Sequence, residues 1–257
     1  MLRAVVFDLD DTLVDQRSAA AAAVVAWAAE HGVTGVDGAG SDVAGSDLAG
    51  SDLAARWAAV SVPLFARWQR REITFAGQRR ERVREFLGVT VSDAEADVLF
   101  AGYLERYEAG WVAFPDAGPA LRRAAAAGLA VAVLTNGDEE QQRRKLARVG
   151  LAGDAGVLVA SSVLPAGKPD VRAFRHTAAL LGVEPGVPGP GSTGSSWPSV
   201  LMVGDSLPKD VLAARAAGWD AVLVDRDDAY AGDEAAAGVR RVRSLDELDF
   251  QPVRTAR

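Results

Sequence analysis

Short apolar runs alternate with longer helical segments along most of this chain. Such alternation is typical of β-α units, in which helices join parallel strands. The runs with strand character are Ala4–Leu9, Ala130–Thr135, Gly156–Ala160, Val200–Val203 and Ala221–Val224. The helical segments are Ala117–Ala127, Glu139–Val149, Asp170–Leu181 and Pro208–Ala217. The pattern predicts an α/β fold built on a parallel sheet.

A glycine stands just past each of these helical segments. These are Gly128, Gly150, Gly182 and Gly218. The position after a helix favours glycine because the chain there often takes a left-handed conformation. The repeated signal supports the predicted helix ends.

The interval from Asp15 to Ala113 breaks the alternation, since it contains several helical patterns and no convincing buried strand. We therefore predict an α/β core formed by residues 1–14 and 114–257, with an inserted helical domain at residues 15–113. Large aromatic residues of the insertion are candidates for its interior, or for a face against the core: Trp27, Trp57, Phe65, Trp68, Phe86, Phe100, Tyr103 and Trp111.

Two segments lack either pattern. Residues Gly40 to Ala54 are three copies of a five-residue unit that begins with Gly-Ser-Asp. This unit is too short for a repeat that packs as a supersecondary structure, and also shorter than the calcium-binding unit of β-helices. We expect a solvated loop there. Residues Glu184 to Pro198 are rich in Gly, Pro and Ser, and we expect a mobile loop.

Composition narrows the chemistry that the protein can perform. The 257 residues include no cysteine and two histidines, which excludes disulfides and thiolate sites and leaves little for a Ser-His-Asp triad. Catalysis would rest on carboxylates, hydroxyls and amines.

The net charge of −7 argues against nucleic acid as a partner. The N-terminus does not resemble a secretory signal and no apolar run suits a membrane span, so we expect a cytoplasmic protein without a membrane partner. The sequence does not determine the oligomeric state.

Three acids, Asp8, Asp10 and Asp11, follow the first predicted strand. Alternation in an extended chain puts Asp8 and Asp10 on the same side. Acids directly after an apolar strand are costly unless a cation is close, and a divalent metal is the usual one. The alternative is a strand end with solvated or helix-capping acids.

Polar residues also follow the next strands. Thr135 and Asn136 end the second one, where the Thr135 hydroxyl can donate to a phosphoryl oxygen or, alternatively, cap the next helix. Lys168 stands just ahead of Pro169, which suits a first helical turn. From there a lysine can reach back over the strand ends, although a lone lysine is more often a surface residue.

The fourth strand runs into Gly204 and Asp205 and then a helix with Asp210 in its first turn. Gly204 permits close backbone approach. Asp210 has a structural alternative, because an acid near a helix N-terminus interacts favourably with the helix dipole. Asp205 follows four apolar residues and a glycine, and a structural reason for an acid there is weaker than for Asp210.

These groups together resemble the four motifs of the haloacid dehalogenase-like hydrolase superfamily. The matching segments are Asp8–Leu13, Thr135–Asn136, Lys168–Pro169 and Gly204–Asp210. The resemblance runs from Asp8 to about Val224, without the interior of the insertion and the two irregular segments. It implies a Rossmann-like parallel sheet with the first strand central, and a helical cap domain inserted after the first motif.

The resemblance also implies a magnesium-dependent phosphatase that acts on a small phosphorylated substrate. Asp8 would be the nucleophile that becomes an aspartyl phosphate, and Asp10 the general acid and base. Mg²⁺ would be held by the Asp8 side chain, the Asp10 backbone carbonyl and Asp205. Asp210 would support the metal-bound waters or Lys168.

The transferring phosphoryl group would be bound by Thr135 and Lys168, with help from the backbone amide of Asn136. The segment Thr135–Leu146 looks like that of a nucleotide and sugar phosphatase group, so nucleoside monophosphates and acyl-sugar phosphates are candidate substrates. Such subgroup analogy guides the choice of assay substrates only.

Three other functions remain open from the resemblance. A 2-haloacid dehalogenase uses the same aspartate on carbon, but lacks the acid that Asp10 provides, because a halide leaves without a proton. A sugar phosphomutase would use the same catalytic residues. A protein that binds a phosphorylated ligand without turnover is the remaining alternative.

Overall fold

The computed structural model describes residues 2–34, 46–183 and 200–250. The loop predicted at 184–198 and residues 40–45 of the repeat lie outside these ranges. The chain divides into two compact units, one formed by Met1–Asp15 with Ala113–Arg257 and the other by Gln16–Val112.

The first unit is an α/β domain with a six-stranded sheet, and all strand pairs are parallel. Its strand order is β3-β2-β1-β4-β5-β6, so the first strand is central, as predicted. The strands are β1 (Ala4–Phe7), β2 (Ala130–Thr135), β3 (Val157–Ala160), β4 (Val200–Gly204), β5 (Asp220–Val224) and β6 (Arg240–Val242). The α/β fold prediction is confirmed.

Burial explains why β1 and β4 read as continuous apolar runs. Every residue of both strands is buried, because helices cover both faces of a parallel sheet. Val6 lies between Ala132 and Met202 in register, and all three side chains belong to one buried cluster. The strand β6 was missed, because two of its three residues are exposed arginines.

Helices α5 (Ala117–Ala126), α6 (Glu139–Arg148), α7 (Val171–Leu180) and α8 (Ala213–Ala216) belong to this unit. The four predicted cap glycines all have positive φ, between 62° and 85°. Two details differ from the prediction. Helix α7 begins after its cap residue Asp170, so Pro169 precedes the helix instead of lying in its first turn. The helix predicted over 208–217 begins as a π-helix, Leu207–Leu212, before it becomes α8.

The second unit consists of helices α1 (Gln16–Glu30), α2 (Ser46–Gln69), α3 (Phe75–Leu87) and α4 (Asp93–Ala109). Its core is aromatic: Trp27 is fully buried and stacks on Phe86 at 5.7 Å between ring centroids. Of the predicted interior aromatics, all are buried except Phe65, which is half-buried. No helix of the described ranges combines the length and the apolar character needed to cross a membrane.

The loop prediction for the repeat is wrong over residues 46–54, which form the start of α2. Leu53, Trp57, Leu64 and Trp68 are buried at helical spacing along this helix. The apolar stripe therefore begins inside the last copy of the repeat. Period-five repetition hid this helical spacing.

A buried ion pair fixes the loop after β1. Arg226 donates to both carboxylate oxygens of Asp116, at 2.8 and 2.9 Å, and to the backbone carbonyl of Thr12 at 2.9 Å. Its guanidinium lies 3.8 Å from the ring centroid of Phe114. The bidentate geometry and the low exposure of Asp116, 5% of its side chain, make this contact stronger than a surface ion pair.

We expect Arg226→Met to lower the free energy of unfolding by about 3 kcal/mol, because it leaves the Asp116 carboxylate buried without its cation. Urea denaturation followed by circular dichroism measures the change. Arg143→Met is the control, since Arg143 makes only an exposed pair with Glu139 on α6 and its loss should cost about 0.5 kcal/mol or less. Equal changes in the two variants would contradict this role for Arg226.

Candidate active site

The candidate site begins with Asp8, the first residue after β1. Its amide donates to the Val203 carbonyl at 2.8 Å, which extends the β1-β4 pairing by one residue. Asp8 is therefore held rigidly at the carboxyl end of the central strand, where ligands of open α/β sheets bind. Oδ1 of Asp8 accepts a hydrogen bond from Lys168 at 2.6 Å. Among the residues that the structure describes, none donates to Oδ2.

Two further carboxylates come from the segment after β4. Asp8, Asp205 and Asp210 each offer an oxygen within 4.8 Å of the others. Asp210 is buried and reaches back under its own segment, where Oδ2 accepts from the Ser206 amide at 3.0 Å. Gly204 makes this possible, because a Cβ there would lie 2.4 Å from the Asp210 carboxyl group.

Lys168 is the cation of this cluster. Its ammonium contacts Asp210 at 2.5 Å as well as Asp8. The Asn136 side chain holds the lysine backbone: its Nδ2 donates to the Lys168 carbonyl at 2.7 Å, and its Oδ1 accepts from the Lys168 amide at 2.8 Å. Asn136 thus fixes Lys168 in place, a contact that its position in the sequence did not predict.

Electrostatics at the site reflect burial and crowding. Burial raises the pKa of Asp8 well above its ordinary value, the carboxylates of Asp210 and Asp205 raise it further, and Lys168 opposes them. Burial alone would lower the pKa of the Lys168 ammonium, but Asp210 and Asp8 outweigh this and the pKa lies above its ordinary value. The single ammonium group of Lys168 therefore stabilises the negative charge of both Asp8 and Asp210.

This donor set fits a divalent cation. Hard cations such as Mg²⁺ prefer carboxylate, carbonyl and water oxygens, and the three aspartates offer oxygens close enough to share one ion. The excess of carboxylates over ammonium groups gives the cluster the charge that such an ion would balance. The Asp10 side chain is not a member of this cluster.

Asp10 faces a second set of polar residues that the sequence reading missed. Its Oδ1 pairs with the Lys145 ammonium, and its Oδ2 accepts from Gln142 Nε2 at 2.9 Å. The same Nε2 lies 2.9 Å from the Thr135 hydroxyl oxygen. A sequence signal existed: helical spacing puts Gln142 on the face of Leu146, the helix's one large apolar residue, so a polar residue there points inward.

The Thr135 hydroxyl does not cap the next helix. Asp138 is the N-cap of α6 and accepts from the Gln141 amide at 3.1 Å. Asp138 therefore fills the capping role that the sequence left open for Thr135, and Thr135 lies buried at the end of β2. Two neighbouring strand ends thus carry Thr135 and Asp8 at the same edge of the sheet.

Residues 2–218 match the haloacid dehalogenase-like hydrolase family. The chain belongs to this family. The resemblance carried by the four motifs is therefore confirmed. The matched residues span strands β1 to β4 of the α/β unit and the whole helical insertion.

The relatives include phosphatases, and the solved structures with a similar fold include dehalogenases. The chain is 37% identical over 176 residues to a phosphoserine phosphatase of Thermus thermophilus, a match that covers 67% of this chain and 63% of the relative. The matches span less than two thirds of the curated relatives' lengths. The fold is similar to that of magnesium-bound YfnB from Bacillus subtilis (TM-score 0.69, 19% identity, 96% of each chain). It is also similar to that of the L-2-haloacid dehalogenase from Xanthobacter autotrophicus (TM-score 0.65, 19% identity, 95% of this chain and 96% of that one).

We expect Gly204→Ala to destabilise the α/β unit by about 1 to 3 kcal/mol, because the added methyl group would overlap the Asp210 carboxyl group. Chemical denaturation measures the change. Gly153→Ala is the matched control, since no atom lies within 4 Å of a Cβ at that position. An unchanged stability in Gly204→Ala would mean that Asp210 is not held against the Gly204 backbone.

Proposed function

We propose that the protein is a magnesium-dependent phosphatase that hydrolyses a small phosphomonoester through an aspartyl phosphate on Asp8. The observation that carries this proposal is the pairing of Asp8 with Lys168 beside Asp205 and Asp210, with a second acid, Asp10, held nearby on separate partners. A nucleophile, a cation and an independent acid are the parts that this reaction needs.

The reaction has two steps. In the first, which requires Asp10 to be protonated at the start, Asp8 attacks phosphorus, the ester bond to the leaving oxygen breaks, and the Asp10 proton moves to that oxygen. In the second, Asp10 takes a proton from water, whose oxygen attacks phosphorus and releases Asp8 and inorganic phosphate. Lys168 and the Thr135 hydroxyl bind the phosphoryl oxygens, with the backbone amide of Asn136. Asp8 suits the nucleophile's role because its Oδ2 accepts no hydrogen bond from the described residues.

Magnesium would be held by the side chains of Asp8 and Asp205 and the backbone carbonyl of Asp10, with Asp210 close enough to bind it or its waters. When bound, it would supply positive charge that stabilises the phosphoryl oxygens in the transition state. Asp210 also fixes Lys168, which would keep the ammonium directed at the phosphoryl group.

Asp10 favours phosphate chemistry over dehalogenation. A halide needs no proton to leave, whereas an alkoxide does, and a carboxyl group held by two side chains suits proton transfer. Transfer to a sugar and ligand binding without turnover are the remaining alternatives. Release of inorganic phosphate distinguishes hydrolysis from both.

We further propose that the helical unit, residues 16–112, is the cap domain that selects the leaving group. Its position in the chain supports this, since it is inserted directly after the loop that carries Asp10. The relative from Thermus thermophilus is a phosphoserine phosphatase, so O-phosphoserine joins nucleotides and sugar phosphates in the substrate panel.

We expect Asp8→Asn to abolish phosphate release from every substrate, because the amide cannot form the acyl phosphate. The assay measures phosphate from p-nitrophenyl phosphate, nucleotides, sugar phosphates and O-phosphoserine with Mg²⁺. Asp11→Asn is the matched control: Asp11 has φ 61°, a conformation that Asn also tolerates, and has no assigned role, so its activity should stay near that of the unchanged protein. Residual turnover by Asp8→Asn would refute the assignment of Asp8 as the nucleophile.

We expect EDTA to abolish phosphate release and added Mg²⁺ to restore it, because the acidic cluster would then lack the cation that offsets its charge. Titration of Mg²⁺ into the EDTA-treated, dialysed protein measures the recovery. Asp205→Asn should need a higher Mg²⁺ concentration for half-maximal activity. Full activity without a divalent cation would disprove the metal site.

A further inference from the structure

The inward face of α6 is polar where a packed helix is normally apolar. Gln142 is 3% exposed and Lys145 1% exposed, and they lie three residues apart on the same side of the helix. A buried lysine is costly unless it is paired, whereas methionine would fill a similar volume without that cost. Packing alone therefore does not explain these two residues.

Both side chains contact Asp10. Lys145 pairs with Oδ1 and Gln142 donates to Oδ2, so each carboxyl oxygen has its own partner. Two contacts to two oxygens fix the rotation of the carboxyl plane as well as its position. The Gln142 amide also contacts Thr135, which ties the proposed acid to the proposed phosphate-binding hydroxyl.

The glycine before the helix makes room for this arrangement. A Cβ at Gly137 would lie 2.6 Å from Gln142 Nε2. Any side chain at this position would push the Gln142 amide away from Asp10 and Thr135. The contacts of Gln142 with Asp10 and Thr135 therefore require a glycine at position 137.

We propose that Gln142 and Lys145 are positioning residues that orient the Asp10 carboxyl group for proton transfer to the leaving oxygen. This inference rests on the proposed phosphatase function. In the step concerned, the bond between phosphorus and the ester oxygen breaks, Asp8 gains the phosphoryl group, and the Asp10 proton moves to the departing oxygen. A misdirected carboxyl group slows this transfer although Asp8 and Lys168 remain in place.

Leaving groups of different acidity separate this role from a merely structural one. A p-nitrophenolate ion leaves without a proton, whereas an alkoxide requires one. The parameter to compare is kcat/KM, because it reports the steps up to formation of the aspartyl phosphate. A loss of proton donation therefore lowers kcat/KM for alkyl phosphates far more than for p-nitrophenyl phosphate.

The experiment measures kcat/KM for substituted phenyl phosphates and an alkyl phosphate in the unchanged protein, Lys145→Met and Gln142→Leu. We expect the loss on the alkyl phosphate to exceed the loss on p-nitrophenyl phosphate by about tenfold or more in each variant. Gly137→Ala displaces Gln142 without altering it and should show the same selective loss. Arg144→Met, which changes a half-exposed neighbour paired with Glu140, should leave both values unchanged.

A double substitution tests whether the effect passes through Asp10. Asp10→Asn alone should show the selective loss, and adding Lys145→Met should not increase it. Circular dichroism checks that each variant is folded, and Gln142→Leu and Gly137→Ala carry the test where Lys145→Met does not fold.

Three outcomes count against the inference. Equal losses on all leaving groups, or no loss, would overturn it while leaving the phosphatase proposal intact. A further selective loss in the double variant would mean that Lys145 acts independently of Asp10, which also overturns it. Absence of phosphate release by the unchanged protein would overturn the proposed function itself.

Discussion

The arrangement of the site depends on one buried ammonium group. Lys168 contacts Asp8 and Asp210 at the carboxyl end of the sheet, where both acids are almost completely buried. Without that cation each acid would have to be neutral or exposed, since an isolated carboxylate is not tolerated in an apolar interior. The Asn136 side chain holds the lysine backbone on both sides, so the position of the charge is set by the end of β2.

The parallel sheet explains how residues so distant in sequence meet. Strands β1, β2 and β4 are adjacent, and the carboxyl ends of parallel strands lie at one edge. Asp8, Thr135 and Asp205 each follow one of these strands or end it. Apolar residues that are buried on both faces keep the strands in place, and the polar residues begin only where the strands end.

Much of this could be predicted from the sequence. The patterns that indicate strands and helices are local, so the sequence contains them. The rule that ligands bind at the carboxyl ends of parallel strands can be applied as soon as the strands are predicted. The predicted residues Asp8, Lys168 and Asp210 do lie together. Gln142 and Lys145 were not predicted, because most residues of this short helix are charged, which normally indicates a solvated helix. The spacing from Leu146 indicates that Gln142 points inward, but only the tertiary contacts show that both side chains meet Asp10. The start of α2 was missed because a repeat of period five obscured the helical spacing of Leu53 and Trp57.

The two lysines divide the acids of the site between them. Lys168 pairs with Asp8 and Asp210, whereas Lys145 pairs with Asp10, so the proposed nucleophile and the proposed acid do not share a counterion. With Asp205 included, the edge carries more carboxylates than ammonium groups, and this excess opposes the approach of a phosphate ester. A divalent cation would offset this excess negative charge close to where the phosphoryl group would lie. Under the proposed function, a chain with a net charge of −7 would accept an anion at this edge, because these few residues and the bound cation would set the local charge, not the surface as a whole.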